Sequence, residues 1–325
     1  MLARLFRSNQ PAVLAGLAVL VPVLFGKAFL LTPGPVGDVM PLYAWVLRMV
    51  GSAAWLNGLV VVVVVALLSV QLAALADHAD LADRRNHLAA LLFPLLLAAF
   101  SRTISVHPAL LGMPLVLWAL RRGWSISNTG AALGPLFDAG LLMGLAALFY
   151  LPYAFLVVVL WASVSVIRPF HWREYVVPLV ACAVVFYVAW ALQRLAGSVV
   201  WHPLHTILEP TSEREAAPWP RGHRILVYTV LAPLLLVSLS FFASSYQRGI
   251  MQVKNLRSSY LALAAALGVI MLGVRLLNGT FPAVLLAVPL AVLLVHALLG
   301  DRRAWLREAA VLGLISAALW AQWWT

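Results

Sequence analysis

Two of the segments that connect the apolar runs of the chain contain polar residues whose side chains are suited to chemistry. Asp38 follows "TPGPVG" and is the only acid in that segment. An isolated carboxylate at a membrane surface can act as a general base when it is partly desolvated. Aspartate after glycine is also a common turn residue, so the same position has a purely conformational interpretation.

Arg102 and His107 form a second candidate pair, in the stretch "FSRTISVHPALL". A guanidinium donates two parallel hydrogen bonds to a phosphate, and a nearby imidazole can add a third, so this spacing is suited to phosphate binding. The alternative is structural. The arginine would then extend its charged end to the interface, and the histidine would precede a proline that starts a helix.

Asp138 lies in "PLFDAGLLMGLAALFYLPYAF", which is apolar enough to enter lipid. A carboxylate inside a membrane helix is costly without a partner, so its presence there requires a reason. One interpretation of Asp138 is a proton or substrate site, as in a proton-coupled carrier. The other is a structural anchor that pairs with Arg121 or Arg122. We favour the anchor because the acid lies near the helix start. Gly140 and Gly144 form a small-xxx-small pair that predicts close helix packing.

Metal-ligand patterns are weak, so no resident metal or other cofactor is predicted, although a divalent ion remains an option. His202, His205 and Glu209 have helical spacing, but two prolines interrupt them. The stretch "ADHADLADRRNH" is typical of a solvated helix end, and its candidate ligands are Asp77, His78, Asp80, Asp83 and His87. Cys182 is the single cysteine, which excludes an intramolecular disulfide. The nucleotide-binding and zinc-protease motifs are absent from the sequence.

The composition indicates the class of protein that must position these residues. Of 325 residues, 64% are hydrophobic and 10% charged, whereas a soluble domain has about 25% charged residues. Apolar runs recur throughout, which predicts one all-α integral membrane domain over residues 1–325. The net charge of +11 is distributed between these runs and forms no basic face, so nucleic acid is not an expected partner.

The apolar runs predict a polytopic helical bundle of about eleven spans. Cationic residues set its orientation: 14 of the 22 Lys and Arg residues lie in alternate segments that would face the cytoplasm. This pattern favours an inside N-terminus and an outside C-terminus. The predicted spans are approximately 11–31, 53–75, 88–101, 107–120, 133–150, 152–167, 176–195, 224–243, 259–275, 280–299 and 307–324.

Three connecting segments are distinctive. Residues 32–52 are predicted to be an outer loop with an amphipathic segment on the surface, and residues 197–223 are the only long polar insertion, also outside. The inner stretch "IRPFHWREY" combines arginines with aromatic residues. It is suited to contact with lipid headgroups or with a protein partner.

Two resemblances add to these inferences. The segments "MLARLFRSNQPAVL", "SVHPALLGMPLVLWALRR", "FDAGLLMGLAALFYLPYAF" and "RPFHWREYVVPL" resemble a family of Bacteroidetes multi-spanning inner-membrane proteins of unknown function. The stretch "ALRRGWSISNTGAALGPLFDAGLLMGLAALFYLP" is similar, more loosely, to the GT-C class of glycosyltransferases, which use polyprenyl-phosphate sugars.

The GT-C resemblance implies a catalytic acid in the first outer loop, where Asp38 stands, and phosphate-handling residues in later outer loops, where Arg102 and His107 stand. The chain departs from that class in having a shorter first loop with no second acid. The leading hypothesis is a GT-C-like transferase, or a degenerate relative, that handles lipid-linked sugars in cell-envelope assembly. The alternative is a non-enzymatic membrane subunit of a secretion, motility or envelope complex.

Overall fold

A computed structural model describes residues 6, 15–32, 39–81, 86–101, 104–127, 132–197, 220–299 and 304–324. These residues form α-helices joined by short 3-10 turns and loops, with no strand in the described ranges. The helices are α1 (Leu17–Phe25), α2 (Pro41–Val50), α3 (Ala54–His78), α4 (Leu88–Phe100), α5 (Pro108–Trp124), α6 (Leu133–Ala147), α7 (Val157–Ile167), α8 (Trp172–Leu195), α9 (Arg221–Arg248), α10 (Met251–Asn278), α11 (Ala283–Leu299) and α12 (Ala304–Leu319).

The all-helical class predicted from the sequence is confirmed. Four helices, α3, α8, α9 and α10, are long and apolar enough to cross a membrane. Each has at least 24 residues, whereas a bilayer core requires about 20. The other predicted spans contain shorter helices, so eleven complete crossings remain a prediction.

Helix α2 is amphipathic, as the sequence predicts for this part of residues 32–52. Its buried face carries Tyr43, Leu47 and Val50, while Trp45 and Met49 are exposed on the other face. Pro41 begins the helix, where its missing N–H costs no hydrogen bond. The last turn ends at Gly51, whose φ of +55° is one that residues with a side chain rarely adopt.

The centre of the molecule is built from α4 and α11. All residues of α4 from Leu88 to Ala99 are buried, because α1, α3, α11 and α12 pack around it. A helix that is apolar on every side is expected in such an interior position. With 13 residues, α4 is about 20 Å long at 1.5 Å per residue, which is shorter than the hydrocarbon core.

Helices α8, α9 and α10 have the opposite character, because large apolar side chains cover their outward faces. Exposed examples are Tyr187 on α8, Leu236 on α9 and Val269 on α10. A soluble monomer rarely exposes such a continuous apolar surface. This surface and the four long apolar helices indicate that the protein associates with a membrane.

Loops and helix ends gather at two ends of the bundle. The His107 end comprises residues 26–32, 39–54, 100–101, 104–108 and 147–151. Side-chain and backbone hydrogen bonds connect these segments to one another. The Arg122 end comprises residues 78–81, 86–88, 121–127, 132–133, 167–172 and 248–251. There Arg257 donates to the Asp80 carbonyl, and His296 contacts the Leu81 carbonyl.

Candidate functional site

His107 is the predicted phosphate-binding residue whose geometry the structure describes. Asp38 and Arg102, the other members of the predicted transferase site, lie outside the described residues. His107 is the N-cap of α5, and its ring Nδ1 accepts a hydrogen bond from the Ala109 backbone N–H at 3.1 Å. Because Nδ1 is then an acceptor, the neutral ring carries its proton on Nε2. The second nitrogen is thereby set as a hydrogen-bond donor.

Two buried side chains fix the backbone that precedes His107. The Asn57 Oδ1 accepts from the Val106 N–H at 2.8 Å, and the Asn57 Nδ2 donates to the Ala28 carbonyl at 2.7 Å. The Tyr43 hydroxyl donates to the Val106 carbonyl at 2.9 Å. Both polar groups of the Val106 backbone are therefore paired with side chains. Helices α2 and α3 and the turn after α1 together hold the segment that leads into His107.

Aromatic residues from the turn before α7 form the next layer. The Tyr153 hydroxyl donates to the Ala109 carbonyl at 2.6 Å. Its ring meets Tyr150 edge-on at 5.1 Å between centroids, and Tyr150 in turn lies 6.3 Å from the His107 ring. At Gly112, a Cβ would stand 2.8 Å from Tyr153 Cε2, so the absence of a side chain there admits the tyrosine ring.

The C-terminal turn fixes the chain next to Arg102. Gln322 is buried, and its Nε2 donates to the Ala98 carbonyl at 3.1 Å and also to the Ser101 carbonyl. The Ala98 carbonyl is in the last turn of α4 and Ser101 is the C-cap, so no following helical turn satisfies either carbonyl. Ser101, which is bonded directly to Arg102, is therefore held by Gln322, and Val106, four residues after Arg102, is held by Asn57 and Tyr43.

The sequence interpretation did not identify Asn57, Tyr43, Tyr153 or Gln322. A signal for Asn57 was present, because an amide inside the apolar run "AWLNGLVVVVVV" must find hydrogen-bond partners. Those partners are 29 and 49 residues away along the chain. Spacing within the sequence therefore could not reveal them.

Asp138 is paired with Arg122 at the other end of the bundle. The Arg122 Nε donates to Asp138 Oδ2 at 2.9 Å, and its Nη2 lies 2.8 Å from the same oxygen. The side chains are 47% and 45% exposed. The pair joins α5 to α6, and its exposure means that neither charge carries a large desolvation cost.

Gly140 and Gly144 lie where α6 meets α8. A Cβ on Gly140 would be 2.5 Å from the Pro178 carbonyl oxygen and 2.8 Å from Ala181 Cβ. At Gly144 it would be 3.0 Å from Val185 Cβ. The helix backbones approach so closely only because both positions lack a side chain.

The candidate metal ligands are only partly described. His202, His205 and Glu209 lie outside the described residues, as does Asp83. In the part of the chain that the structure describes, no three His, Cys, Asp or Glu side chains are grouped closely enough to hold a metal ion. Cys182 is buried in α8 and is not disulfide-bonded.

The basic-aromatic stretch at residues 168–175 forms an exposed surface at the Arg122 end. Arg168 Nη1 lies 3.6 Å from Glu174 Oε1, while Phe170 and Trp172 are exposed. The Arg173 guanidinium stands 5.7 Å from the centre of the Trp172 ring. Aromatic rings beside cations are common where a protein meets lipid headgroups.

Comparisons with protein-family models, with curated proteins and with solved structures found no match to this chain.

Proposed function

We propose that this chain is a multi-pass protein of the bacterial inner membrane that transfers a sugar from a polyprenyl-phosphate carrier at its His107 end. In this proposal the N-terminus faces the cytoplasm, and eleven helices cross the bilayer or enter it. The transferase is GT-C-like and serves cell-envelope assembly. The observation that supports it best is the fixed position of His107, whose Nδ1 caps α5 by accepting from the Ala109 N–H and whose preceding residue is held by Asn57.

Described neighbours of the three proposed site residues support a common location at the His107 end of the bundle. Asp38 is bonded to Val39, and adjacent Cα atoms are about 3.8 Å apart. Two residues after Val39, α2 begins, and its Tyr43 contacts Val106 beside the histidine. Arg102 is five residues from His107, a reach of at most about 18 Å.

The reaction assigns one role to each residue. The bond between the sugar C1 and the carrier phosphate breaks, and a bond forms between C1 and the acceptor hydroxyl oxygen. Asp38 takes the proton of that hydroxyl as general base. Arg102 and the His107 Nε2–H stabilise the negative charge that develops on the leaving phosphate. The scheme requires no nucleotide site, and a divalent ion remains an optional addition.

The test measures transfer from a panel of polyprenyl-phosphate sugars by the full-length protein in vesicles. Asp38→Asn is expected to abolish transfer and leave membrane insertion intact. His107→Asn keeps a side-chain oxygen that caps α5 but removes the Nε2–H donor, so a 10- to 100-fold loss of rate is expected. Thr229→Ala, which removes a local hydrogen bond on exposed α9, is the matched control. Full activity in Asp38→Asn contradicts the proposal.

The alternative function is a non-enzymatic subunit of a secretion, motility or envelope complex. The exposed rings of Phe170 and Trp172 favour it, because they offer a surface at which a partner could dock. Purification in mild detergent separates the two proposals. Stoichiometric co-purifying subunits, together with no transfer by the wild-type protein, would favour the subunit. A monomer that retains a polyprenyl-phosphate lipid would favour the transferase.

A further inference from the structure

Two short connections at the Arg122 end share one pattern, in which exposed apolar side chains lie between two cationic residues. The connection that follows α7 reads "RPFHWR" over residues 168–173, and the one that joins α9 to α10 reads "RGIMQVK" over residues 248–254. Neither stretch contains an acid. The two stretches are together called the basic-apolar rim. It lies at the opposite end of the bundle from His107, so the inference drawn from it does not rest on the proposed transferase.

The apolar side chains of the rim point away from the core of the bundle. Phe170 is 74% exposed, Trp172 63% and Ile250 70%. Large apolar side chains grouped in this way at a protein surface mark a contact with a membrane or with another protein. The rim is therefore a surface that something other than water is expected to cover.

The cations of the rim carry an excess of positive charge. Arg168 lies 3.6 Å from Glu174, the acid that directly follows the first stretch. In the part of the chain that the structure describes, the ion pairs do not include Arg173, Arg248 or Lys254. The Arg173 guanidinium instead stands 5.7 Å from the centre of the Trp172 ring. Whatever covers the rim is expected to be negatively charged.

Helix length places the rim at the level of lipid headgroups. Helices α9 and α10 have 28 residues each, so they are about 42 Å long at 1.5 Å per residue. A bilayer is about 40–45 Å thick when its headgroup layers are included. The connection between the two helices therefore lies in a headgroup layer when they cross the membrane. Helix α7, which the other stretch follows, packs against α10.

We propose that the basic-apolar rim binds anionic phospholipids of the surrounding leaflet. Arg173, Arg248 and Lys254 donate hydrogen bonds to the headgroup phosphates, while the exposed apolar side chains enter the boundary between headgroups and acyl chains. The excess charge decides between lipid classes. A zwitterionic lipid carries its own positive group beside the phosphate, so it offers the rim no net negative charge.

The experiment measures lipid binding to the detergent-solubilised full-length protein by native mass spectrometry. Phosphatidylglycerol is the anionic probe, phosphatidylcholine is the zwitterionic comparison, and inorganic phosphate tests whether the phosphate alone suffices. The wild-type protein is expected to bind phosphatidylglycerol at least tenfold more tightly than either of the others, because each cation near an anionic headgroup contributes about fivefold.

Variants assign the binding to the rim. Arg173→Gln should weaken binding of phosphatidylglycerol about fivefold, and Arg248→Gln combined with Lys254→Gln about 25-fold. Arg194→Gln is the matched control, because the Arg194 guanidinium stands 5.7 Å from the Trp190 ring at the opposite end of α8. It lies outside the rim and should change binding less than twofold.

Three results would overturn the proposal. One is equal affinity of the wild-type protein for phosphatidylglycerol and phosphatidylcholine. The second is an equal effect of Arg173→Gln and Arg194→Gln, which would make any arginine beside a tryptophan sufficient. The third is a co-purifying protein whose removal requires the rim cations to be replaced, since the rim would then be a protein interface.

Discussion

The two ends of the bundle share buried hydrogen bonds but differ in their ion pairs. At the His107 end, the buried side chains of Asn57, Tyr43 and Gln322 bond to backbone groups of segments distant along the chain. At the Arg122 end, buried Arg257 and His296 contact the backbone carbonyls of Asp80 and Leu81 in the same way, and the ion pair of Arg122 and Asp138 adds a contact that is about half exposed. Buried neutral hydrogen bonds with fully paired partners hold one geometry, whereas exposed ion pairs add little stability.

This difference is informative about function. A site that binds and transforms a ligand requires groups held in one arrangement, and the His107 end provides that rigidity. The Arg122 end presents charges and aromatic rings at its surface, an arrangement suited to water and lipid headgroups. The fixed position of His107 and the exposed ion pair of Arg122 thus distinguish the two ends. Three experiments test this comparison.

The largest effect is expected from Asn57→Ala. The change leaves the Val106 N–H and the Ala28 carbonyl without their partner, at about 1–3 kcal/mol for each buried group. Thermal unfolding of the purified protein in detergent should show a clear decrease in Tm, measured against Thr229→Ala. If the two variants unfold at the same temperature, the His107 end does not depend on buried hydrogen bonds.

A smaller loss is expected from Gly140→Ala, which tests the close approach of α6 and α8. Its new Cβ would stand 2.5 Å from the Pro178 oxygen, and such overpacking costs about 1–3 kcal/mol. The matched control is Gly134→Ala in the same helix, where nothing lies within 4 Å. The control should be neutral or slightly stabilising, since alanine favours helix by up to about 1 kcal/mol. Equal stability of both variants would show that the helices do not pack closely.

The smallest effect is expected from breaking the ion pair of Arg122 and Asp138. A double-mutant cycle with Arg122→Gln and Asp138→Asn should give a coupling energy of about 0.2–1 kcal/mol, decreasing as salt is added. Denaturant unfolding at low and high salt measures it. A coupling of several kcal/mol that does not change with salt would contradict the exposed setting of this pair.

The sequence was sufficient to predict the helices, because apolar periodicity depends on local residues. Each of the eleven apolar runs contains a helix, and α2 occupies the segment predicted to be amphipathic. The interior position of α4 was not predicted. "LAALLFPLLLAAF" is equally apolar whether it contacts lipid or protein, so only the packing of α11 and α12 around it distinguishes the two.

The candidate site was predicted less completely than the fold. Proximity in sequence limited the predicted partner of Asp138 to Arg121 or Arg122. The structure shows that the partner is Arg122. The supports of His107 come from α2, α3 and the turn before α7. Long-range hydrogen bonds of this kind depend on how helices pack, and no local pattern in the residues encodes them.

The most direct test of the central claim is the sidedness of the two ends. In a Cys182→Ala background, Ser52→Cys places a thiol at the His107 end, and Met251→Cys places one at the Arg122 end. Both positions are exposed. A membrane-impermeant maleimide applied to spheroplasts should label Ser52→Cys at once and Met251→Cys only after permeabilisation. Labelling of Met251→Cys in sealed spheroplasts, with Ser52→Cys protected, would contradict the account.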